Sequence, residues 1–189
     1  MTLALSLFLA VAHADNAAIG APAPDFTLTD TDGKSVTLSE QKGSTVVLEW
    51  FNPGCPFVKY AHGSGPLKNL ASTWSSKDVR WFAVNSGAPG KEGAGLETNK
   101  QAKAAWSMSY PVLLDESGKV GHEYGATSTP TIVVIDSAGV VRYKGALDDA
   151  PMGQGGVGRA YANDAIAAVT KGDKVGVAST KSYGCSVKY

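Results

Sequence analysis

Alternating apolar and polar side chains predict a β-hairpin near the start of the chain. The segment APAPDFTLTDTDGKSVTLSE, residues 21–40, alternates on both sides of Asp32-Gly33, a dipeptide typical of tight hairpin turns. The next segment, STVVLEWF at residues 44–51, is a nearly continuous run of strand-forming residues. Such runs are typical of strands that are buried on both faces of a sheet, so we expect it to be a central strand.

The rest of the chain alternates between helical and β-rich segments. From Pro56 to about Ser75 the pattern is helical, although Gly63 and Gly65 weaken its middle. Other helices are predicted over LETNKQAKAAWSM at 96–108 and RAYANDAIAAVTKG at 159–172, where Gly172 ends the helix. Strands are predicted over DVRWFAVNS (78–86), YPVLLD (110–115), TIVVID (131–136) and GVVRYKGAL (139–147), the last two forming a hairpin. GAPGKEGAG (87–95) is expected to be a flexible loop, and the tail after 172 has no clear period.

This order of elements predicts an α/β protein. A central mixed β-sheet should be flanked by helices on both faces, with an N-terminal β-hairpin extension and an antiparallel edge from the late hairpin. The 189 residues suit one domain, which we place at residues 20–173, followed by a tail at 174–189.

The first residues resemble a secretory signal peptide. LALSLFLAVA, residues 3–12, is too short to span a bilayer, which needs about 20 residues, and it is followed by the small-x-small site AHA. We therefore expect a signal peptide at 1–14, although no Lys or Arg precedes the apolar run; a buried N-terminal helix is the alternative. A cleaved signal would place the protein in the periplasm or make it secreted, and no later segment is long and apolar enough to span a membrane.

The composition argues against several classes of partner. The chain is 43% hydrophobic and 18% charged, which is typical of a folded protein, and its 17 basic and 17 acidic residues give a net charge of zero. Proteins that bind nucleic acids generally have a basic excess, so we expect no nucleic-acid partner. The run GQGGVG at 153–158 does not follow a buried strand directly and predicts no nucleotide site. No cofactor is predicted.

Cys55 has the position of a reactive thiol. It follows a strand and a Pro-Gly turn, and Pro56 fits the first position of a helix, so Cys55 should be the N-cap. The free N–H groups and the dipole of a helix N-terminus lower the pKa of a thiol and make the nucleophilic thiolate available. The alternative is an inert buried cysteine, because free Cys is among the most buried residue types.

The chain has two cysteines, Cys55 and Cys185, and neither lies in a CxxC motif. They could form a redox pair, a structural disulfide, or no bond at all. A zinc site that also used His62 and His122 is not expected, because the usual close spacing of ligands is missing. His62 is interpreted as an ordinary surface residue of its helix.

Three segments together resemble the redoxin branch of the thioredoxin-like superfamily, the alkyl hydroperoxide reductase/thiol-specific antioxidant group. GAPAPDFTLTDTDGKSVTLSE resembles the opening hairpin of that family, and VVLEWFNPGCPFVK its strand, active-site turn and helix. STPTIVVIDSAGVVRYKGALDD resembles its cis-proline loop and final hairpin. The tail YGCSVKY is similar to a C-terminal Gly-Cys-Ser segment of a secreted, single-domain subset.

The resemblance implies roles for particular residues. Thr129-Pro130 would be a cis peptide beside Cys55, and Thr129, Pro130, Pro56 and Phe57 would line a groove for an extended disulfide partner. Glu49 occupies the place of a buried acid that assists proton transfer to and from the thiols. The alternatives for Glu49 are an ion pair, with Lys59 for example, or a position at the edge of the sheet.

The chain departs from its relatives at three positions. Peroxiredoxins resemble one another in having Pro and Thr where this chain has Leu48 and Asn52, so a peroxide site of that type is in doubt. Thioredoxins have their second cysteine where Val58 stands, so exchange within a CxxC motif is ruled out.

The resemblance therefore predicts an extracytoplasmic thiol–disulfide oxidoreductase in which Cys55 attacks and Cys185 is the candidate resolving thiol. Its partners would be protein thiols and disulfides, with an external thiol as reductant. One alternative is a thiol peroxidase that acts through a Cys55 sulfenic acid. Another is a non-enzymatic binding module that holds a partner or a soft metal such as copper.

Overall fold

We describe the fold from a computed structural model, which covers residues 17–75, 77–155 and 158–189. The predicted signal peptide at 1–14 lies outside the described residues. Within them, no helix has the combination of length and apolar composition that crossing a membrane requires.

A seven-stranded mixed sheet forms the centre of the molecule. Its strand order is β2-β1-β5-β4-β3-β7-β8, with β3 parallel to β4 and antiparallel to β7. The strands of this sheet are β1 (Thr27–Asp30), β2 (Ser35–Thr37), β3 (Thr45–Trp50), β4 (Val79–Asn85), β5 (Val112–Leu114), β7 (Thr131–Ile135) and β8 (Val141–Gly145). The predicted mixed sheet, its opening hairpin β1–β2 and its antiparallel edge strand β8 are confirmed.

Strand β3 divides the apolar residues into two cores, one on each face of the sheet. Because side chains alternate along a strand, Val46, Leu48 and Trp50 enter one core. Val47 and Phe51 enter the other, which also contains Cys55. All six residues of β3 are buried, as expected for a central strand.

Helices cover both faces of the sheet. The helices are α1 (Pro56–Gly63), α2 (Leu67–Ser75), α3 (Leu96–Ala105), α4 (Lys119–Glu123) and α5 (Tyr161–Lys171). Buried residues of α1, α2, α3 and α5 belong to the core that contains Cys55. Val120 of α4, a helix that the sequence did not predict, belongs to the other core.

The helical segment predicted from Pro56 to about Ser75 forms two helices, and they are divided where Gly63 and Gly65 weaken the helical pattern. Helix α1 ends at Gly63, and the N–H groups of Ser64 and Gly65 both bond to the carbonyl of Tyr60. A side chain at Gly65 would lie 2.8 Å from the Cα atom of Ala61, so glycine is needed for this close turn.

The C-terminal tail returns to the sheet and passes beside the start of helix α1, where Cys185 lies next to Cys55. Strand β9 (Cys185–Ser186) pairs antiparallel with the short strand β6 (Ser128–Thr129). Farther back in the tail, Ser179 forms a bridge to Lys144 of β8. The sequence had no periodicity that would predict these contacts.

Candidate active site

Cys55 caps helix α1, as the sequence predicted, and Asn52 shapes the turn before it. The N–H of Gly54 donates to Asn52 Oδ1 over 2.7 Å, and the N–H of Cys55 donates to the Asn52 carbonyl over 3.0 Å. Pro56 is at the first helical position. The turn therefore delivers Cys55 to the N-terminus of the helix in a defined orientation.

Hydrogen bonds hold the segment 87–95 against this turn, although it was predicted as a flexible loop. Asn52 Nδ2 donates to the Glu92 carbonyl over 3.1 Å. The Gly93 carbonyl accepts from the side chains of Asn85 and Asn99 over 2.8 and 3.1 Å. Side-chain amides from the turn, from β4 and from α3 thus replace regular secondary structure in fixing one wall of the site.

The peptide bond between Thr129 and Pro130 is cis, as the resemblance implied. It brings the Thr129 carbonyl oxygen to 3.3 Å from Cys55 Sγ. The hydroxyl of Thr129 is buried and has no hydrogen-bond partner within the described parts of the chain. It therefore has an O–H available for the neighbouring thiolate.

The tail places Cys185 against Cys55. Thr129 lies opposite Cys185 in the β6–β9 pair, and the two sulfur atoms are 2.7 Å apart. This separation exceeds the roughly 2.05 Å of a disulfide bond, and both cysteines are free thiols in the structure. Residues 130 positions apart in sequence thus meet in a single site.

Glycine is required immediately before Cys185. Gly184 has a φ of 113°, in the region that favours glycine, and a Cβ atom there would lie 2.0 Å from the Thr129 carbonyl oxygen. The backbone of the tail can approach the cis-proline loop only because this position has no side chain.

The last residues of the tail, Lys188 and Tyr189, contact Ala88, His122 and Ala126. The Ala88 N–H donates to the Lys188 carbonyl over 2.8 Å. The Tyr189 ring stacks on His122, with centroids 3.9 Å apart, and its hydroxyl donates to the Ala126 carbonyl. A Cβ atom at Gly121 would lie 2.6 Å from that hydroxyl, so this pocket also depends on glycine.

The environment shifts the pKa values of the two thiols in opposite directions. Burial alone raises the pKa of Cys55. Hydrogen bonds that the Cys55 thiolate can accept, from the side chains of Cys185 and Thr129 and from the backbone of Val58, outweigh burial, so the pKa of Cys55 lies below its ordinary value. Burial and then the neighbouring Cys55 raise the pKa of Cys185 to about 11. Cys55 is therefore the thiol that ionises first.

Glu49 is a buried acid, but its partner is His62. Glu49 is 0% and His62 3% exposed, and Oε1 of the acid is 2.7 Å from Nε2 of the imidazole. The indole N–H of Trp81 and the hydroxyl of Tyr110 donate to the other carboxylate oxygen over 3.2 and 3.3 Å. Burial and this carboxylate raise the pKa of Tyr110 far above its ordinary value.

Three interpretations of these residues were therefore wrong. His62 is not a surface residue, because its ring stacks on Trp106 at a centroid distance of 5.0 Å. Glu49 does not pair with Lys59, which is exposed, and it does not lie at an edge of the sheet, because β3 is central. Sequence reasoning missed the pair because Glu49 and His62 lie on different elements, although both point to the same core.

The four residues predicted to line a substrate groove differ in exposure, and the tail covers one of them. Thr129 and Pro130 are buried, whereas Pro56 is exposed and Phe57 half-buried. The Phe57 ring lies 5.9 Å from the ring of Tyr183, a residue of the tail. The described residues contain no cluster of three or more His, Cys, Asp or Glu side chains that could hold a metal ion.

Two of the departures from related proteins have structural consequences. Leu48 points into the core on the opposite face of the sheet from Cys55. Val58, at the sequence position of the second cysteine of a CxxC motif, is fully buried in the same core as Cys55. Cys185 therefore approaches Cys55 from the tail rather than from helix α1.

Comparison with known proteins agrees with this geometry. The redoxin family model matches residues 18–154. A thiol-disulfide oxidoreductase ResA from Geobacillus thermodenitrificans (strain NG80-2) is 30% identical over 126 residues, which cover 66% of this chain and 67% of the relative. Peroxiredoxin Q, chloroplastic, from Oryza sativa subsp. japonica is 27% identical over 135 residues, 66% of this chain and 57% of the relative.

A solved structure matches over almost the whole chain. It is an uncharacterised conserved protein from Geobacillus kaustophilus, 30% identical, with a TM-score of 0.83 and coverage of 92% of this chain and 93% of that one. Together with the mixed sheet and the cysteine-capped helix, these similarities show a thioredoxin-like fold.

Proposed function

Because the chain belongs to the redoxin family, we propose that it is a thiol–disulfide oxidoreductase whose attacking thiol is Cys55 and whose resolving thiol is Cys185. The observation that carries this proposal is the 2.7 Å separation of the two sulfur atoms beside a cis-proline. A small relative movement would bring these sulfurs to bonding distance.

The first step is attack by the Cys55 thiolate on a substrate disulfide. Its sulfur forms a bond to one substrate sulfur, and the other substrate sulfur leaves as a thiolate. The lowered pKa of Cys55 supports this role, because the thiolate is the nucleophile. Cys55 is 0% exposed with the tail in place, so the tail must be displaced before a protein disulfide can reach it.

The second step is the return of the tail. The Cys185 thiol, once deprotonated, attacks Cys55 Sγ in the mixed disulfide, which releases the second substrate thiol and leaves a Cys55–Cys185 disulfide. The pairing of β9 with β6 supports this step, because the backbone guides Cys185 to the same place each time. An external thiol reductant then restores both thiols.

Glu49 is proposed as the residue that assists proton transfer at this site. Among the described residues its carboxylate bonds to His62, Trp81 and Tyr110 and to neither cysteine. A proton from Cys185 would therefore reach Glu49 through a water molecule or after a local shift. Thr129, Pro130, Pro56 and Phe57 are proposed to form the groove for the substrate once the tail has left.

The test compares the purified protein with its Cys55→Ser and Cys185→Ser variants. We expect mass spectrometry to show a Cys55–Cys185 disulfide after oxidation and reduction of an added peptide disulfide by the wild type. Cys55→Ser should abolish that reduction, and Cys185→Ser should stall at a mixed disulfide on Cys55. An unreactive wild type would reject the proposal and favour a non-enzymatic binding module, whereas an active Cys55→Ser variant would reject Cys55 as the attacking thiol.

A peroxidase is the second candidate, favoured by the similarity to peroxiredoxin Q. Peroxide would oxidise Cys55 to a sulfenic acid, which Cys185 would condense to the same disulfide with loss of water. Rate constants measured with peroxide and with a disulfide separate the two candidates. If peroxide reacts with Cys55 no faster than with free cysteine, the peroxidase candidate is excluded.

We also propose that the protein acts outside the cytoplasm, in the periplasm or after secretion. The support is the signal-like segment at 1–14, together with a tail cysteine that can form a disulfide in an oxidising compartment. Protein sequencing from the mature N-terminus tests this, with cleavage after Ala14 as the expected result. Retention of the segment on cytosolic protein would overturn it.

A further inference from the structure

We propose that, in the oxidised protein, external thiolates attack the sulfur of Cys185 rather than that of Cys55. This inference rests on the proposed function, since it concerns the disulfide that the two cysteines form. It reverses the roles of the thiols in the reductive half of the cycle: the cysteine that resolves in one half receives the incoming thiol in the other.

Burial supports attack at Cys185. Cys55 is 0% exposed, enclosed by the core, the cis-proline loop and the tail. Cys185 is partly exposed, and the residues on either side of it, Gly184 and Ser186, are exposed. A thiolate from solvent therefore meets the tail sulfur first while strand β9 stays in place.

The surroundings of Cys55 also support it as the leaving sulfur. It lies at the N-terminus of helix α1, whose free N–H groups and dipole stabilise a negative charge. The side chain of Thr129, whose hydroxyl is buried without a partner among the described residues, also favours the thiolate of Cys55. Cys185 lies on the two-residue strand β9 and is not itself at a helix terminus. The thiol of lower pKa is the better leaving group, and that thiol is Cys55.

The step balances without a further oxidant. The incoming thiolate forms a bond to Cys185 Sγ, the Cys55–Cys185 bond breaks, and Cys55 leaves as a thiolate with the bonding electron pair. A second external thiolate then attacks the external sulfur of this mixed disulfide. The bond between that sulfur and Cys185 Sγ breaks, an external disulfide forms, and Cys185 leaves as a thiolate that takes up a proton. The disulfide consumed here is the one that a substrate disulfide generated in the proposed function.

The test uses the full chain, oxidised with an excess of a small-molecule disulfide, and glutathione as the thiol probe. The reaction is quenched with acid at several early times, free thiols are alkylated, and peptide mapping locates the mixed disulfide. When the adduct amounts are extrapolated to zero time, we expect the adduct on Cys185 to exceed that on Cys55 by at least about tenfold. Both the exposure of Cys185 and the leaving group favour attack there. An adduct that forms first on Cys55 would overturn the inference and leave the proposed function intact.

A pair of glycine variants gives a second, independent readout. Gly184→Ala places a Cβ atom 2.0 Å from the Thr129 carbonyl and should push the tail away from the cis-proline loop, whereas Gly176→Ala adds a side chain with nothing within 4 Å. The share of adduct on Cys55 should rise in Gly184→Ala and stay at the wild-type value in Gly176→Ala. A Gly184→Ala protein with the wild-type share of adduct on Cys55 would refute burial under the tail as the cause of this selectivity, and a wild-type adduct mainly on Cys55 would overturn the inference. Failure of the wild type to form any intramolecular disulfide would reject the proposed function itself.

Discussion

Replacing Gly184 by alanine should make the Cys55–Cys185 disulfide easier to reduce. Gly184 has a φ of 113°, and its position for a Cβ atom lies 2.0 Å from the Thr129 carbonyl oxygen and 2.9 Å from the carbonyl carbon. Both atoms belong to the backbone, so no side-chain rotation relieves the clash. The alanine variant can relieve this clash only if the tail moves away from β6.

The size of the effect follows from which redox state can move. In the reduced protein the tail can leave and escape the strain, but in the oxidised protein the disulfide holds position 185 against Cys55. A left-handed conformation costs an alanine about 1–2 kcal/mol. We take this cost as the strain that is present in the oxidised protein and relieved in the reduced one. It then raises the reduction potential by about 20–40 mV, since about 30 mV corresponds to 1.4 kcal/mol for a two-electron couple.

The assay is equilibration in thiol–disulfide buffers of graded potential, followed by alkylation and mass spectrometry. Gly176→Ala is the matched control, because it lies in the same tail and its new side chain meets nothing within 4 Å. Thermal unfolding of the reduced proteins checks that both variants fold. A Gly184→Ala protein with the wild-type potential would refute the reasoning that the tail is seated through this glycine.

Three further predictions concern the thiol, the buried pair and the end of the tail. Thr129→Val should raise the pKa of Cys55 because the valine lacks the hydroxyl that helps to lower it; thiolate absorbance, which disappears as pH falls through that pKa, should then be lost at a higher pH than in the wild type, and an unchanged midpoint would contradict this. His62→Leu should destabilise the fold by about 3–5 kcal/mol in urea unfolding, because it removes the hydrogen-bonded partner of the buried Glu49, and Glu49→Gln in the same chain should recover part of the loss; a cost below about 1 kcal/mol would show that the pair is dispensable. Tyr189→Ala removes the stacking and the hydrogen bond at the end of the tail, so iodoacetamide should alkylate reduced Cys55 faster than in the wild type, and equal rates would count against tail shielding.

The sequence determined the features that depend on neighbouring residues. The run from Thr45 to Trp50 is buried on both faces because its residues are mostly apolar and strand-forming, and it lies at the centre of the sheet. Cys55 caps a helix because Pro56 favours the first helical position. The prediction of a cis bond before Pro130 came from the family resemblance alone, since cis X-Pro bonds are rare in folded proteins.

The tertiary structure decided the features that join distant segments. No periodicity in the tail indicated that Cys185 would pair with Thr129, because that pairing depends on backbone hydrogen bonds and on the absence of a side chain at Gly184. His62 was misassigned because its burial is set by Glu49 on a strand and by rings from other elements, not by its own helix. The sequence thus located a reactive thiol, and the folded chain supplied its partner, because two sulfurs separated by 130 residues can meet only through contacts between elements.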